Sequence, residues 1–196
     1  MPEIAFFDFD GTITTKDTML ELIKFHQGRL RFYAGLALLS PWLSAMKLKL
    51  VSHQCAKEKM LSLFFKGFSE VEFSKICNSF IQNKLPSLIN SEAIKRINEH
   101  KKNGDEIVVV SASASNWLKA WCDQNHLKCI ATQLEIVNGK ITGKLAGINC
   151  NYNEKANRII KEYDLKNYSA VYCYGDTDGD KAMLKLATRA FYKKFT

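Results

Sequence analysis

The 196-residue chain predicts an α/β fold: a parallel sheet with helices on both faces and an inserted all-helical segment. Three observations carry this. Short apolar runs alternate with helical patterns along most of the chain. The run Ile107-Val108-Val109-Val110 is unbroken and β-branched or apolar, as in a strand buried on both faces. Three apolar runs end in polar clusters, at Asp8/Asp10, at Ser111 and at Asp176/Asp180. The helical stretch from about residue 17 to residue 85 is too long for one crossover, so residues 1–16 and 86–196 are assigned to the core and 17–85 to a cap.

The elements follow in order. Ile4 to Phe7 is a first strand, leading into Asp8-Phe9-Asp10-Gly11-Thr12. Helical pieces cover Thr18 to His26 and Leu30 to Leu39, and Pro41 is placed at the first turn of a third. Gly67 punctuates, and Ser69 or Glu70 begins a helix with Val71, Phe73, Ile76, Cys77 and Phe80 at helical spacing, ended by Pro86. Ser91 caps another that Gly104 closes. After the strand at 107–110, a helix runs from Asn116 to Gln124, with a short strand at Cys129 to Ala131. Leu134 to Val137, Asn138-Gly139 and Lys140 to Thr142 form a hairpin around a tight turn. A helix from Glu154 to Tyr163, a strand from Ala170 to Tyr174, a helix from Lys181 to Ala187 and a last strand from Ala190 to Tyr192 complete the pattern.

Composition excludes a disordered, collagenous or low-complexity chain: 46% of residues are hydrophobic and 24% charged. The net charge of +8 points to an anionic partner without choosing among phosphate esters, lipid surfaces and nucleic acid. No nucleic acid is expected, because no binding motif or Arg/Lys run interleaved with aromatics accompanies the charge. The six cysteines include no C-x-x-C pair and no leader precedes them, which reads as a reduced cytoplasmic protein with packing thiols.

The strand-end clusters carry the chemistry. In open parallel sheets, ligands bind beyond the carboxyl ends of strands. Asp8 and Asp10 share a strand face while Phe9 points into the core. Two close carboxylates with a third from Asp176 make an all-oxygen cluster that suits Mg²⁺. Lys155 and the Ser111 hydroxyl add a charge and a donor that, with amides near Asp10 and Ala112, suit a phosphate. Asp178 is read as a helix N-cap. At Asp17 two readings stand together, a substrate contact and helix-start chemistry with Thr18-x-x-Glu21 as a capping box.

Asp8-Phe9-Asp10-Gly11-Thr12-Ile13-Thr14 resembles the first motif of the haloacid dehalogenase-like phosphatases, and Val109-Val110-Ser111, Lys155 and Gly175-Asp176-Thr177-Asp178-Gly179-Asp180 resemble the other three. The resemblance spans residues 8 to 180 and implies a Rossmann-like core with a helical cap, similar to the phosphoserine-phosphatase-like branch. It further implies that Asp8 attacks phosphorus and Asp10 serves as general acid and base. Mg²⁺ would be held by Asp8, the Asp10 carbonyl and Asp176. Asp180 would support the metal or orient Lys155, and Ser111 and Lys155 would bind phosphoryl oxygens, with Gly11 and Thr12 completing the loop. Two departures count against free phosphoserine: Ser111-Ala112-Ser113 stands where those enzymes carry Ser-Gly-Gly, and Lys57-Glu58-Lys59-Met60-Leu61 has lysines where they carry a cap arginine.

The expected reaction is hydrolysis of a phosphate monoester. A hydrophobic or phospholipid-like ester stands ahead of phosphoserine or another small metabolite, and a phospho-aspartate signalling module stands further behind. The uncharged run Phe32 to Met46, edged by Arg29, Arg31, Lys47 and Lys49, suggests peripheral contact with an anionic membrane surface, against the alternatives of cap core or dimer contact. The oligomeric state is left open.

Overall fold

The computed structural model describes residues 1–195. Strand β1 (Glu3–Phe7) lies at the centre of a five-stranded, all-parallel sheet. Its neighbours are β2 (Glu106–Ala114) on one side and β6 (Ala170–Gly175) on the other, flanked by β3 (Lys128–Thr132) and β7 (Arg189–Tyr192), giving the order β3-β2-β1-β6-β7. The chain leaves β1 towards β2 and later returns to its other side. A crevice therefore opens beyond the carboxyl end of β1, where a ligand site belongs in this architecture.

Period-two alternation divides the core. Ala5, Phe7, Val109, Tyr172 and Tyr174 face one way, against Ile97 of α4 (Ser91–Asn103) and Trp117, Leu118 and Trp121 of α5 (Ser115–Gln124). Ile4, Phe6, Val108, Val110, Val171 and Cys173 face the other, against Ile159 of α6 (Asn153–Glu162) and Met183 of α7 (Lys181–Leu184). Phe9 is fully buried and meets Trp121 edge-on at 5.2 Å, as its place between two aspartates requires.

Between β1 and β2 stand α1 (Thr18–Lys47), α2 (His53–Phe65) and α3 (Glu70–Asn83). The break in α1 falls at Gly28 (φ 79°, ψ 162°), a conformation open essentially to glycine alone. Pro41 lies inside the helix and does not open a new one. The Thr18-x-x-Glu21 box also does not form. Asp17 is the N-cap, accepting from the Leu20 N–H at 2.9 Å, while Glu21 pairs with Lys24 at 2.7 Å. Asp178 is likewise not the cap of its turn: Thr177 is, in a capping box with Asp180, and Asp178 pairs with Lys181 at 2.7 Å.

The hairpin β4 (Leu134–Val137) and β5 (Lys140–Leu145) turns at Asn138 (φ 50°) and Gly139 (φ 71°), as the Asn-Gly signal indicates. Although it lies within the span assigned to the core, it stays outside the main sheet. It bonds the segment before α3, with Gly67 N–H to Ile141 O, Ile141 N–H to Phe68 O and Glu70 N–H to Gly139 O, each at 2.9 Å.

One buried polar network braces the strand that delivers Asp176. His100 is 1% exposed; its Nδ1 bonds Asp105 at 2.6 Å and its Nε2 bonds the Tyr174 hydroxyl at 3.0 Å, which also accepts from Arg96 at 2.6 Å. Burial lowers the His100 pKa below 6.5 despite Asp105, so the neutral ring is the native form. As pH falls below about 6.5, the unfolded chain gains the proton first, so stability is full above that value and declines beneath it. The difference in thermal stability between wild type and His100→Gln, which cannot titrate, should shrink from about pH 8 to about pH 5, because buried carboxyls elsewhere shift both proteins alike and only wild type carries the His100 decline. His100→Ala should cost about 2–4 kcal/mol in chemical denaturation, because two buried partners lose their bond.

Candidate active site

Every strand end at the crevice contributes. The Asp8 N–H donates to the Tyr174 carbonyl at 2.9 Å, which sets the start of the β1 loop beside the end of β6. Gly11 (φ 86°) then turns the chain so closely against β6 that a Cβ there would lie 2.2 Å from Asp176 Oδ2. Thr12 reaches Asp176 Oδ1 with its hydroxyl at 3.4 Å.

Oxygens of Asp8, Asp176 and Asp180 lie within 4.8 Å of one another. Lys155, on the first turn of α6 and 2% exposed, donates to Asp8 and, at 2.6 Å, to Asp180. Asp180 is also held by its other oxygen, which accepts from the Asp176 and Thr177 N–H groups at 3.1 and 2.9 Å and the Thr177 hydroxyl at 3.0 Å. One ammonium thus faces three carboxylates. Lost hydration pushes Asp8 up to about 8; Lys155 opposes this, and Asp180 and Asp10 add to it. Asp176 is raised by burial and by Asp180. Burial also works to raise Asp180, but Lys155 and the Thr177 donors outweigh it. Lys155 is held above its usual value because Asp8 and Asp180 overcome its own burial. Crowded acids with an all-oxygen donor set and too little counter-charge fit a hard divalent cation.

Asp10 is gripped from two directions. Its Oδ1 accepts from the Thr18 N–H at 2.7 Å and the Thr18 hydroxyl at 2.6 Å, and its Oδ2 accepts from the Ser113 hydroxyl at 2.5 Å. Trp117 Nε1–H donates to the Thr18 oxygen at 3.1 Å, fixing that hydroxyl in turn. The carboxylate is therefore oriented by the start of α1 and by the end of β2.

These groups form the floor of a 380 Å³ cavity. Asp8, Asp10, Lys155, Asp180, Ala112 and Ser113 line it, and Asp17 and Lys57 stand on its wall. Met19, Leu20, Leu36, Leu43 and Met46 from α1, with Ala56 and Met60 from α2, give the wall its apolar part, and His53, Asn149, Asn151 and Thr177 add polar groups to it. Asp17 is solvent-accessible through the cavity yet crowded by protein, and lost hydration followed by the Asp10 charge pushes it up to about 6. Ser111 and Asp176 are not on the cavity wall: Ser111 is fully buried, and its oxygen accepts from the Ser113 N–H at 2.9 Å, shaping the loop.

Thr18, Ser113, Asn149 and Lys57 complete the picture without having been singled out from sequence as site residues. Lys57 reaches from α2 to donate to the Ala112 carbonyl at 2.8 Å and to Asn149 Oδ1 at 3.2 Å, and its pKa is lowered by burial against the pull of Asp17 and Asp10. Its signal was its position in the stretch that matches the family's cap arginine. Ser113, two residues beyond Ser111, carried only a weak strand-end signal.

Residues 5–185 match the model of the family described as haloacid dehalogenase-like hydrolase. Protein CicA of Caulobacter vibrioides is 30% identical over 200 residues, covering 99% of this chain and 87% of that one. A probable phosphatase of Mycobacterium tuberculosis is 28% identical over 194 residues, covering 95% and 67%. Among solved structures, a protein of unknown function from Bordetella pertussis superposes with a TM-score of 0.84 at 20% identity, covering 97% of this chain and 89% of that one. A substrate-bound phosphoserine phosphatase superposes at 0.72 with 18% identity, covering 98% and 86%. These last two likenesses are of fold. With the family match spanning the chain from β1 to just beyond α7, and the acidic loops of β1 and β6 meeting where that fold places a ligand, the chain belongs to the haloacid dehalogenase-like hydrolases.

Proposed function

We propose that this hydrolase is a Mg²⁺-dependent phosphomonoesterase that works through an aspartyl-phosphate on Asp8 and takes an ester with an apolar alcohol. The observation that carries the reading is a cavity whose lining joins carboxylates and Lys155 to a set of apolar side chains from α1 and α2, among them Leu36, Leu43, Met46 and Met60. The phosphate would sit on the floor with the alcohol's carbon chain against the cap.

Asp8, buried and on the cavity lining, attacks phosphorus, forming a carboxyl-oxygen-to-phosphorus bond as the ester oxygen departs. Asp10, oriented by Thr18 and Ser113, gives its proton to the departing oxygen and afterwards takes one from the water that attacks phosphorus. That second step breaks the acyl phosphate and restores the Asp8 carboxylate with release of inorganic phosphate. Asp8, Asp176 and the Asp10 carbonyl would hold Mg²⁺, which neutralises phosphoryl charge when bound. Lys155 adds positive charge beside Asp8, and Asp180 fixes its ammonium.

One observation favours a second reading, a phosphorylated amino acid such as phosphoserine. Asp17 and Lys57 face the same cavity, with opposite charges suited to an ammonium and a carboxylate. Lys57 is already engaged by the Ala112 carbonyl and Asn149, and the remaining wall is mostly apolar, so the first reading stands ahead. Steady-state kinetics with Mg²⁺ on alkyl phosphates of increasing chain length, a lysophosphatidic acid and phosphoserine separate the two. The proposal expects kcat/KM to rise by about threefold to fourfold per added methylene until the wall is filled. A flat series with phosphoserine preferred would favour the second reading, and no hydrolysis of any ester would reject both.

A further inference from the structure

We infer that the outer face of α1, from Leu30 to Trp42, docks on an anionic lipid bilayer, with the cavity-lining face of the same helix turned inward. The helix has two apolar sides. Phe32, Gly35 and Leu39 are buried, and Leu36, Leu43 and Met46 line the cavity, so the inner side is accounted for by the cap itself. On the other side Leu30, Tyr33, Leu38 and Trp42 are 86, 59, 64 and 39% exposed, and Leu48 and Leu50 beyond the helix are 70 and 75% exposed. Ala34, Ala37 and Pro41 fill the space between them and are exposed as well. A contiguous uncharged patch rimmed by polar residues marks an interaction surface.

Charge selects the occupant. No Asp or Glu occurs from Leu22 to Lys57, and Arg29 and Arg31 at one end and Lys47 and Lys49 at the other are exposed. A second copy of the chain seated on this face would bring basic clusters together with no acid to answer them. An anionic bilayer supplies both what the apolar face lacks and what the cations seek. Trp42 lies beside the Lys59 ammonium, 5.3 Å from its ring, a suitable pairing for the headgroup level. No helix among the described residues is long and apolar enough to cross a membrane, so the contact is peripheral.

The docking stands apart from the catalytic reading and is tested apart from it. Co-sedimentation with phosphatidylcholine vesicles, with and without phosphatidylglycerol, should pellet the chain only when the anionic lipid is present, and added salt should release it. Trp117 and Trp121 are buried, so quenching by brominated lipid reads Trp42. The double variant Leu30→Asp/Leu38→Asp and the double variant Arg29→Gln/Arg31→Gln should each partition at least about tenfold more weakly. Both should keep wild-type hydrolysis of a soluble aryl phosphate if the chain hydrolyses one; absence of that hydrolysis in every form would fault the catalytic reading and leave the docking intact. Failure to pellet with anionic vesicles, pelleting and Trp42 quenching unchanged in both double variants, or a lipid-free dimer in sedimentation velocity that the Leu30→Asp/Leu38→Asp variant abolishes would each overturn the proposal.

Discussion

Asp8→Asn is expected to abolish turnover, with kcat/KM on the best ester reduced at least about a thousandfold, while the fold holds or gains stability. An amide does not form the acyl phosphate on which both half-reactions depend. Structurally the change is gentle. Asn has nearly the same shape, and its carbonyl oxygen still accepts from Lys155. Removing one of three carboxylates packed within 4.8 Å relieves repulsion that a single ammonium does not offset. Dead but fully folded protein, read by kinetics beside thermal melting, is the signature of a reacting group. An inactive variant that also melts well below wild type would point to a structural role for Asp8, and an active variant would exclude it as nucleophile.

Gly11→Ala should damage both stability and activity through one added carbon. At φ 86° an L residue is strained, at a cost of about 1–3 kcal/mol. The new Cβ would also stand 2.2 Å from Asp176 Oδ2 and 2.8 Å from its Cγ, so the carboxylate or the loop must move. Either movement pulls apart the acidic cluster formed by the β1 and β6 loops. Because displacements of about 1 Å cost about a hundredfold in catalysis, kcat should fall by at least that much, and the Mg²⁺ concentration for half-activity should rise. A variant with wild-type metal dependence would show that the close approach of Gly11 to Asp176 carries no functional weight.

Much of this site was legible because its chemistry sits at strand ends. Asp8, Asp10 and Asp176 follow apolar runs whose character and order specify a parallel sheet, and that topology brings the loops together. Lys155, on a helix start, was placed by its motif and meets both Asp8 and Asp180. What stayed hidden depends on contacts far apart in sequence. Thr18 resembles the start of a capping box in local pattern, yet its hydroxyl donates to Asp10 and is itself held by Trp117 Nε1–H, a partner 99 residues on. Ser113 carries no motif of its own, and its hydroxyl reaches Asp10 and lines the cavity only because the end of β2 meets the loop after β1. The hairpin turn was written in Asn138-Gly139, but its partner was not, since the backbone groups at Gly67, Phe68 and Glu70 that receive it leave no mark in local pattern. Pro41 suits a first helical turn by local pattern but lies inside α1, whose break falls at Gly28, between the pieces expected at 18–26 and 30–39.

The covalent role of Asp8 is the claim on which the mechanism rests, and it is open to direct observation. The protein, mixed with Mg²⁺ and a saturating ester, is quenched in acid during turnover, digested and mapped by mass spectrometry. The account predicts one phosphoryl group on the peptide that holds Asp8, released by hydroxylamine and absent in Asp8→Asn. A phosphoryl group on any other residue, or undiminished turnover with none on the Asp8 peptide at any quench time, would contradict it.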